Sequence, residues 1–155
     1  MRGKKPWAQD RFPSARANGR ETMKGNMIHG ILWLLQVVLG VYFFITGIIH
    51  WIVPPGLPAP MAWMYELPRI WHQLSGTAEI LAGIGLILPG VVRIQTRLTP
   101  LAALGLVFIM IGAAIWHLAR GEFQNIFMNA VLGGLSGFIA YGRWKIAPLR
   151  DRSHG

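Results

Sequence analysis

At 155 residues, with 53% hydrophobic and only 14% charged residues, the chain falls well short of the roughly one-quarter charged composition of a soluble domain. Its charges also avoid four long stretches, so it reads as one compact membrane domain. The net charge of +9 lies in the flanks of those stretches and not on an aromatic-rich basic face, which excludes nucleic acid as a partner. The absence of cysteine excludes disulfides, thiol exchange, cysteine zinc sites and thiolate nucleophiles.

Residues 1–26 carry Arg2, Lys4, Lys5, Arg11, Arg16, Arg20 and Lys24 against Asp10 and Glu21. This segment is expected to be a poorly ordered basic tail that touches anionic lipid. Its charged region and the apolar run behind it are both too long for a cleaved signal, so the first span is expected to remain as an anchor. Spans are expected at about 27–51, 71–91, 98–118 and 123–141, each near the ~20 residues needed to cross the hydrocarbon. Together they make residues 27–142 an all-α, four-transmembrane-helix up-down bundle, followed by a basic C-terminal tail over 143–155.

Arg93 and Arg97 fill the turn between spans two and three, whereas the two other connections hold only Arg69 and Arg120 among basic residues. The excess of Lys and Arg in the tails and the middle turn places these in the cytoplasm, an N-in/C-in arrangement in a bacterial-type inner membrane. In the outer loop, the run Pro54-Pro55-Gly56-Leu57-Pro58-Ala59-Pro60 cannot continue a helix, because proline lacks the donor and fixes φ. A short turn over 61–67 is expected to follow. Trp51, Trp63, Tyr65 and Trp71 bracket that loop as an outer aromatic belt would, and Trp33, Tyr141 and Trp144 would mark the inner half.

Each span carries a small or polar stripe at helical spacing: Gln36, Gly40, Phe43, Gly47 and His50 in the first; His72, Ser75, Gly76, Glu79, Ala82 and Gly83 in the second; Met110, Ala113, Ala114 and His117 in the third; Asn125, Asn129, Gly133, Ser136, Gly137 and Ala140 in the fourth. Plain helix packing accounts for most of the glycines, Gly133-x-x-x-Gly137 included. Gln36 stands alone in the inner half and reads as an interhelical hydrogen bond. Glu79 is different, being the one acidic residue within any span. A carboxyl there is costly in lipid, so it must face protein or water with a partner.

With the stated topology Glu79 lies about 12 Å in from the outer surface at 1.5 Å per residue, near the level of His50, His117, Asn125 and Asn129. These five residues are the candidates for binding a ligand or handling a proton, with His72, Arg120 and Glu122 at the rim. The plainer readings are a structural carboxyl that fixes helix register, interfacial histidines at helix ends, and a solvated turn at 120–122. No metal-ligand spacing, phosphate-binding glycine loop or zinc-protease motif occurs. His50 and His117 could in principle ligate a haem between them, but only their shared depth speaks for it.

The string Arg97-Leu98-Thr99-Pro100-Leu101-Ala102-Ala103-Leu104-Gly105-Leu106, continuing through Met110-Ile111-Gly112-Ala113-Ala114 to His117-Leu118-Ala119-Arg120-Gly121-Glu122, resembles the DoxX-like family. So do Ala78-Glu79-Ile80-Leu81-Ala82-Gly83-Ile84-Gly85-Leu86-Ile87-Leu88-Pro89 and the closing Ala140-Tyr141-Gly142-Arg143. The order and spacing of these strings over about 28–147 carry the likeness. First spans of that family often end in Gly-x-x-Lys, where this chain has Gly47-Ile48-Ile49-His50.

The family takes its name from a small subunit associated with a terminal quinol oxidase. The resemblance therefore implies, by analogy, a non-catalytic or accessory subunit of a membrane redox system, with a quinone as its ligand and a redox complex or a second copy as its partner. In that reading Glu79 exchanges a hydrogen bond or proton with a polar headgroup, His50 and His117 assist it, and Asn125 and Asn129 orient the ligand. The alternatives are an assembly or chaperone-like interaction protein and, less favoured without an inverted repeat, a small transporter.

Overall fold

The computed structural model describes the backbone of residues 15–152 and the side chains of residues 23–152. Four long helices, α1 (Ala15–Ile52), α2 (Arg69–Val92), α3 (Leu98–Ala119) and α4 (Phe123–Tyr141), run up and down. A 3₁₀ helix (Ala59–Tyr65) interrupts the first connection, and a π turn (Gly142–Ile146) ends α4. There is no strand among the described residues. All four helices are long and apolar enough to cross a bilayer, and the protein is a multi-pass integral membrane protein. Large apolar side chains such as Leu34, Leu81, Phe108, Ile115 and Phe127 stand exposed on the outer faces, where lipid replaces water as their solvent.

The expected spans fall within α1 to α4, with two differences. α1 starts at Ala15, so residues 15–26 of the expected tail are helical. That stretch has no proline, and seven of its twelve residues (Ala15, Arg16, Ala17, Arg20, Glu21, Met23 and Lys24) are good helix formers. The expectation for residues 1–14 lies outside the described residues. The turn expected at 61–67 begins at Ala59 instead, because Pro58 and Pro60 supply the fixed φ that starts a helix.

The bundle is built from two hairpins, α1 on α2 and α3 on α4, joined chiefly through α2 and α3. The stripes read from the sequence are its inner faces: Gln36, Gly40, Phe43, Gly47 and His50 are all buried on α1, as are His72, Gly76, Glu79, Ala82 and Gly83 on α2. α1 and α2 touch backbone to backbone at two levels seven residues apart. A Cβ on Gly47 would lie 2.7 Å from the Gly76 carbonyl oxygen, and one on Gly83 would lie 2.6 Å from that of Gly40. Such close approach is how helices gain dispersion energy in lipid. The α3–α4 contact is looser: a Cβ on Gly133 would sit 3.2 Å from Met110, and one on Gly137 would be 3.8 Å from Val107.

At the end holding the α2–α3 turn, the C-terminal segment straps the turn. The Thr96 N–H donates to Asp151 Oδ1 at 2.8 Å, its hydroxyl donates to the Leu149 carbonyl at 3.1 Å, and the Arg152 N–H donates to the Arg93 carbonyl at 2.8 Å. The Thr96 N–H holds the Asp151 carboxyl below the usual range. The opposite end, with the 3₁₀ helix and the α3–α4 turn, carries the candidate site.

Candidate functional site

The glycine crossing fixes the geometry of Glu79. It lies between Gly76 and Gly83, one helical turn from each, and so faces α1 where the two backbones are nearest. Glu79 is 5% exposed, in the company of His50 and His72 at 6% and 5%. Its Oε2 is 2.9 Å from the Thr46 hydroxyl, and its Oε1 is 3.8 Å from His50 Nε2. His50 Nδ1 is 2.9 Å from His72 Nδ1, and His72 Nε2 is 2.7 Å from the Met64 carbonyl oxygen on the 3₁₀ helix.

These contacts determine the tautomers. A carbonyl only accepts, so His72 Nε2 carries the proton and Nδ1 is an acceptor. His50 Nδ1–H must then donate to it, which leaves the lone pair of a neutral His50 at Nε2, directed toward Glu79. Glu79 Oε1 and His50 Nε2 face each other at 3.8 Å, within ion-pair range but too far for a hydrogen bond, so the carboxyl can stand there as the acid or as the carboxylate. The Thr46 hydroxyl serves both states. It can donate to the carboxylate, or accept from a protonated Oε2 while its own proton turns to the carbonyl of Tyr42 at 3.1 Å or Phe43 at 3.2 Å. No rotamer change is needed to keep Oε2 partnered, so the site suits a proton that comes and goes.

On the α3–α4 side, His117 Nδ1 donates to Glu122 Oε2 at 2.6 Å, Asn125 Nδ2 donates to the same oxygen at 3.2 Å, and Arg120 Nε donates to Oε1 at 2.7 Å. Arg120 also reaches Glu66 at 2.5 Å and so ties the turn to the first loop. Gly121, at φ +70°, supplies the left-handed residue this tight turn requires. Arg120, the His117 ring and Asn125 hold the Glu122 carboxyl down to about 2. A depressed carboxyl stabilises the fold fully above its ordinary value of 4.5, and this contribution fades as pH falls from there toward 2. Hydrogen exchange at residues 120–125 should accordingly stay protected at pH 5 and open progressively in stronger acid. In Glu122→Gln the protection should be weaker and its acid dependence lost.

The structure thus gathers His50, His72, Glu79, His117, Asn125, Arg120 and Glu122 at one end, but as two groups. Trp63 stands between them, its ring 5.8 Å from that of His50 and edge-on at 4.9 Å from that of His117. It is a wall inside the site and not a member of the aromatic belt, and it leaves no room for a haem between the two imidazoles. His72, expected at the rim, is a buried central link, because Pro68 starts α2 and turns His72 under the 3₁₀ helix. Asn129 stands apart from both groups. It lines an open apolar groove of about 490 Å³ between α3 and α4, with Met110, Ala114, Leu118, Ile126 and Gly133, and its Nδ2 is buried without a partner. A second cavity, of about 430 Å³, lies against the outer side of Trp63 with Glu66, Arg120, Glu122 and Asn125 in its walls.

Thr46 and Glu66 were not singled out from sequence, and Trp63 was read there only as part of the aromatic belt. Thr46 lies four residues before His50, on the same α1 face as the stripe, and that spacing is the signal that could have found it. Gln36 is not alone either: it donates to the Leu86 carbonyl at 2.6 Å and accepts from the Arg143 Nε at 2.5 Å.

No curated protein and no solved structure matches this chain. A profile of the DoxX-like family matches residues 34–139. That range is more than half of the chain and takes in all of α2 and α3, the glycine crossing, the Thr46–Glu79–His50–His72 chain and the Glu122 cluster. The protein belongs to the DoxX-like family.

Proposed function

We propose that the protein is an accessory subunit of a quinone-linked redox system in the cytoplasmic membrane, with Glu79 and His50 holding a proton that responds to the bound ligand. The observation that carries this reading is the buried Glu79 carboxyl, held by the Thr46 hydroxyl and facing the free ring nitrogen of a tautomer-locked His50–His72 pair across 3.8 Å. A carboxyl serving packing alone has no need of a tautomer-locked histidine pair behind it or of a hydroxyl that accepts either state. The distribution of Lys and Arg supports both termini lying in the cytoplasm, which puts the chain in the outer half of the membrane.

The α3–α4 groove supports a quinone as the ligand. It opens to the bilayer, is apolar along its length, and has Asn129 in its wall, whose buried and unpartnered Nδ2 would reach the groove when the amide turns. A quinone carbonyl accepts from such a donor while its tail lies along Gly133 and Gly134. Asn125, one turn away and held by Glu122, would fix the adjoining end of the headgroup.

The experiment is titration of the full chain in mild detergent with a short-tailed quinone analogue, followed by fluorescence quenching and by proton uptake on reduction. Wild type should bind with coupled proton uptake. Asn129→Ala should weaken binding by about tenfold, the scale of one buried hydrogen bond. Glu79→Gln should keep the fold and lose the uptake in excess of the two protons that quinol formation itself takes. Absence of binding in wild type, together with a stoichiometric protein partner retained in Glu79→Gln, would instead favour an assembly protein.

A further inference from the structure

At the end of the bundle away from Glu79, a second polar cluster surrounds Arg143. The π turn and the missing Cβ of Gly142, which seats against Leu32, roll Arg143 inward until only 2% of it is exposed. Nε donates to Gln36, Nη1 donates to the Ala147 carbonyl at 3.1 Å, and the guanidinium lies 5.5 Å over the Trp33 ring. Every one of these partners is neutral, and no carboxylate pairs with Arg143 among the described residues. A buried guanidinium stays charged and is costly to leave uncompensated.

Donors also outnumber acceptors here. Nη2 is buried with no partner. His29 sits between two groups that can only donate, with Arg143 Nη1 3.1 Å from its Nδ1 and Trp33 Nε1 3.1 Å from its Nε2. A neutral imidazole has one acceptor nitrogen and an imidazolium has none, so at least one of these two contacts is not a hydrogen bond. The cluster lacks an acceptor and a negative charge in the same place. His29, which is exposed and poorly satisfied, is the part of the cover that can yield. Arg93 and Arg97 lie at the same end of the bundle and add to the attraction for an anion.

We infer that Arg143, with Gln36, His29 and Trp33, forms a binding site for a phosphate group at the membrane surface, where the phosphate oxygens accept from Nη1 and Nη2 as His29 swings aside to accept from Trp33 alone. An inner-leaflet phospholipid headgroup and free phosphate share this chemistry. The site is independent of Glu79 and of the quinone reading.

The test is native mass spectrometry of the full chain released from phosphatidylglycerol-containing nanodiscs, with and without inorganic phosphate. Wild type should retain one phosphatidylglycerol per chain, and Arg143→Gln should retain at least about tenfold less, as expected on losing a charge-assisted pair. Lys145→Gln, at the surface of the same end, should retain as much as wild type. Displacement by millimolar phosphate would identify free phosphate as the ligand, and resistance to it the lipid. Since Arg143→Gln also removes a structural partner of Gln36, His29→Ala provides the second arm: with the competing imidazole gone, retention should rise. Equal retention in Arg143→Gln, or unchanged or weaker retention in His29→Ala, overturns the proposal. It is equally overturned if wild type holds no phosphate group and Asp10→Asn or Glu21→Gln gains one, since the chain's own carboxylate would then be the counter-charge.

Discussion

Replacing Gly83 by leucine is expected to cost the bundle about 3 kcal/mol or more, at the top of the range for overpacking. The new side chain would begin 2.6 Å from the Gly40 carbonyl oxygen and 3.0 Å from the Phe44 nitrogen. These are backbone atoms, which cannot swing away as the end of a flexible side chain can, so α1 and α2 must separate. Separation also removes Thr46 and His50 from Glu79 and leaves the carboxyl without partners in a low-dielectric interior. Unfolding in mixed detergent micelles would measure the loss. Gly105→Ala, where a Cβ meets nothing within 4 Å, should leave stability within about 0.5 kcal/mol of wild type, as is usual at sites free of such features. Comparable losses at the two positions would mean that the glycine crossing does not hold the hairpin together.

The second large effect is expected at His72. His72→Phe keeps a ring of similar shape but breaks two links at once. The Met64 carbonyl loses its donor and His50 Nδ1–H loses its acceptor, and each buried unpaired group costs about 1–3 kcal/mol. The sum, about 2–6 kcal/mol, resembles that of Gly83→Leu, but the consequence differs. With no acceptor at Nδ1, His50 is free to carry its proton on Nε2, so the lone pair that faces Glu79 is lost with the helix crossing intact. Nitrogen-15 spectra of labelled histidine would show it. In wild type His50 should be protonated at Nδ1 in its neutral form, and in His72→Phe the Nε2 tautomer should appear. An unchanged tautomer would show that His72 does not direct the chain.

The architecture was legible because lipid simplifies the code. Four apolar runs of spanning length leave few alternatives, and the buried faces follow from small and polar residues at helical spacing, as Gly40, Gly47 and His50 show on α1. Glu79 stood out for the same physical reason, a carboxyl where lipid should be. What the sequence hid was pairing between elements. Nothing local distinguishes Gly83, whose Cβ would meet backbone, from Gly137, whose Cβ would meet an ordinary neighbour, since both lie in similar small-residue stripes. Trp63 reads as an interfacial tryptophan until the 3₁₀ helix turns it inward between two histidines. Arg143 reads as a basic flank until the π turn buries it. In each case a short irregular element, whose direction periodicity does not encode, decides where the side chain goes.

The central claim is that Glu79 exchanges its proton in step with a bound ligand. Infrared difference spectroscopy between the oxidised and reduced states of a quinone analogue, on the full chain in nanodiscs, observes that carboxyl directly. The account predicts a carboxyl C=O band that shifts in D₂O, disappears in Glu79→Gln and moves in His50→Phe. A difference spectrum with no carboxyl band, or one whose band survives Glu79→Gln, would contradict it.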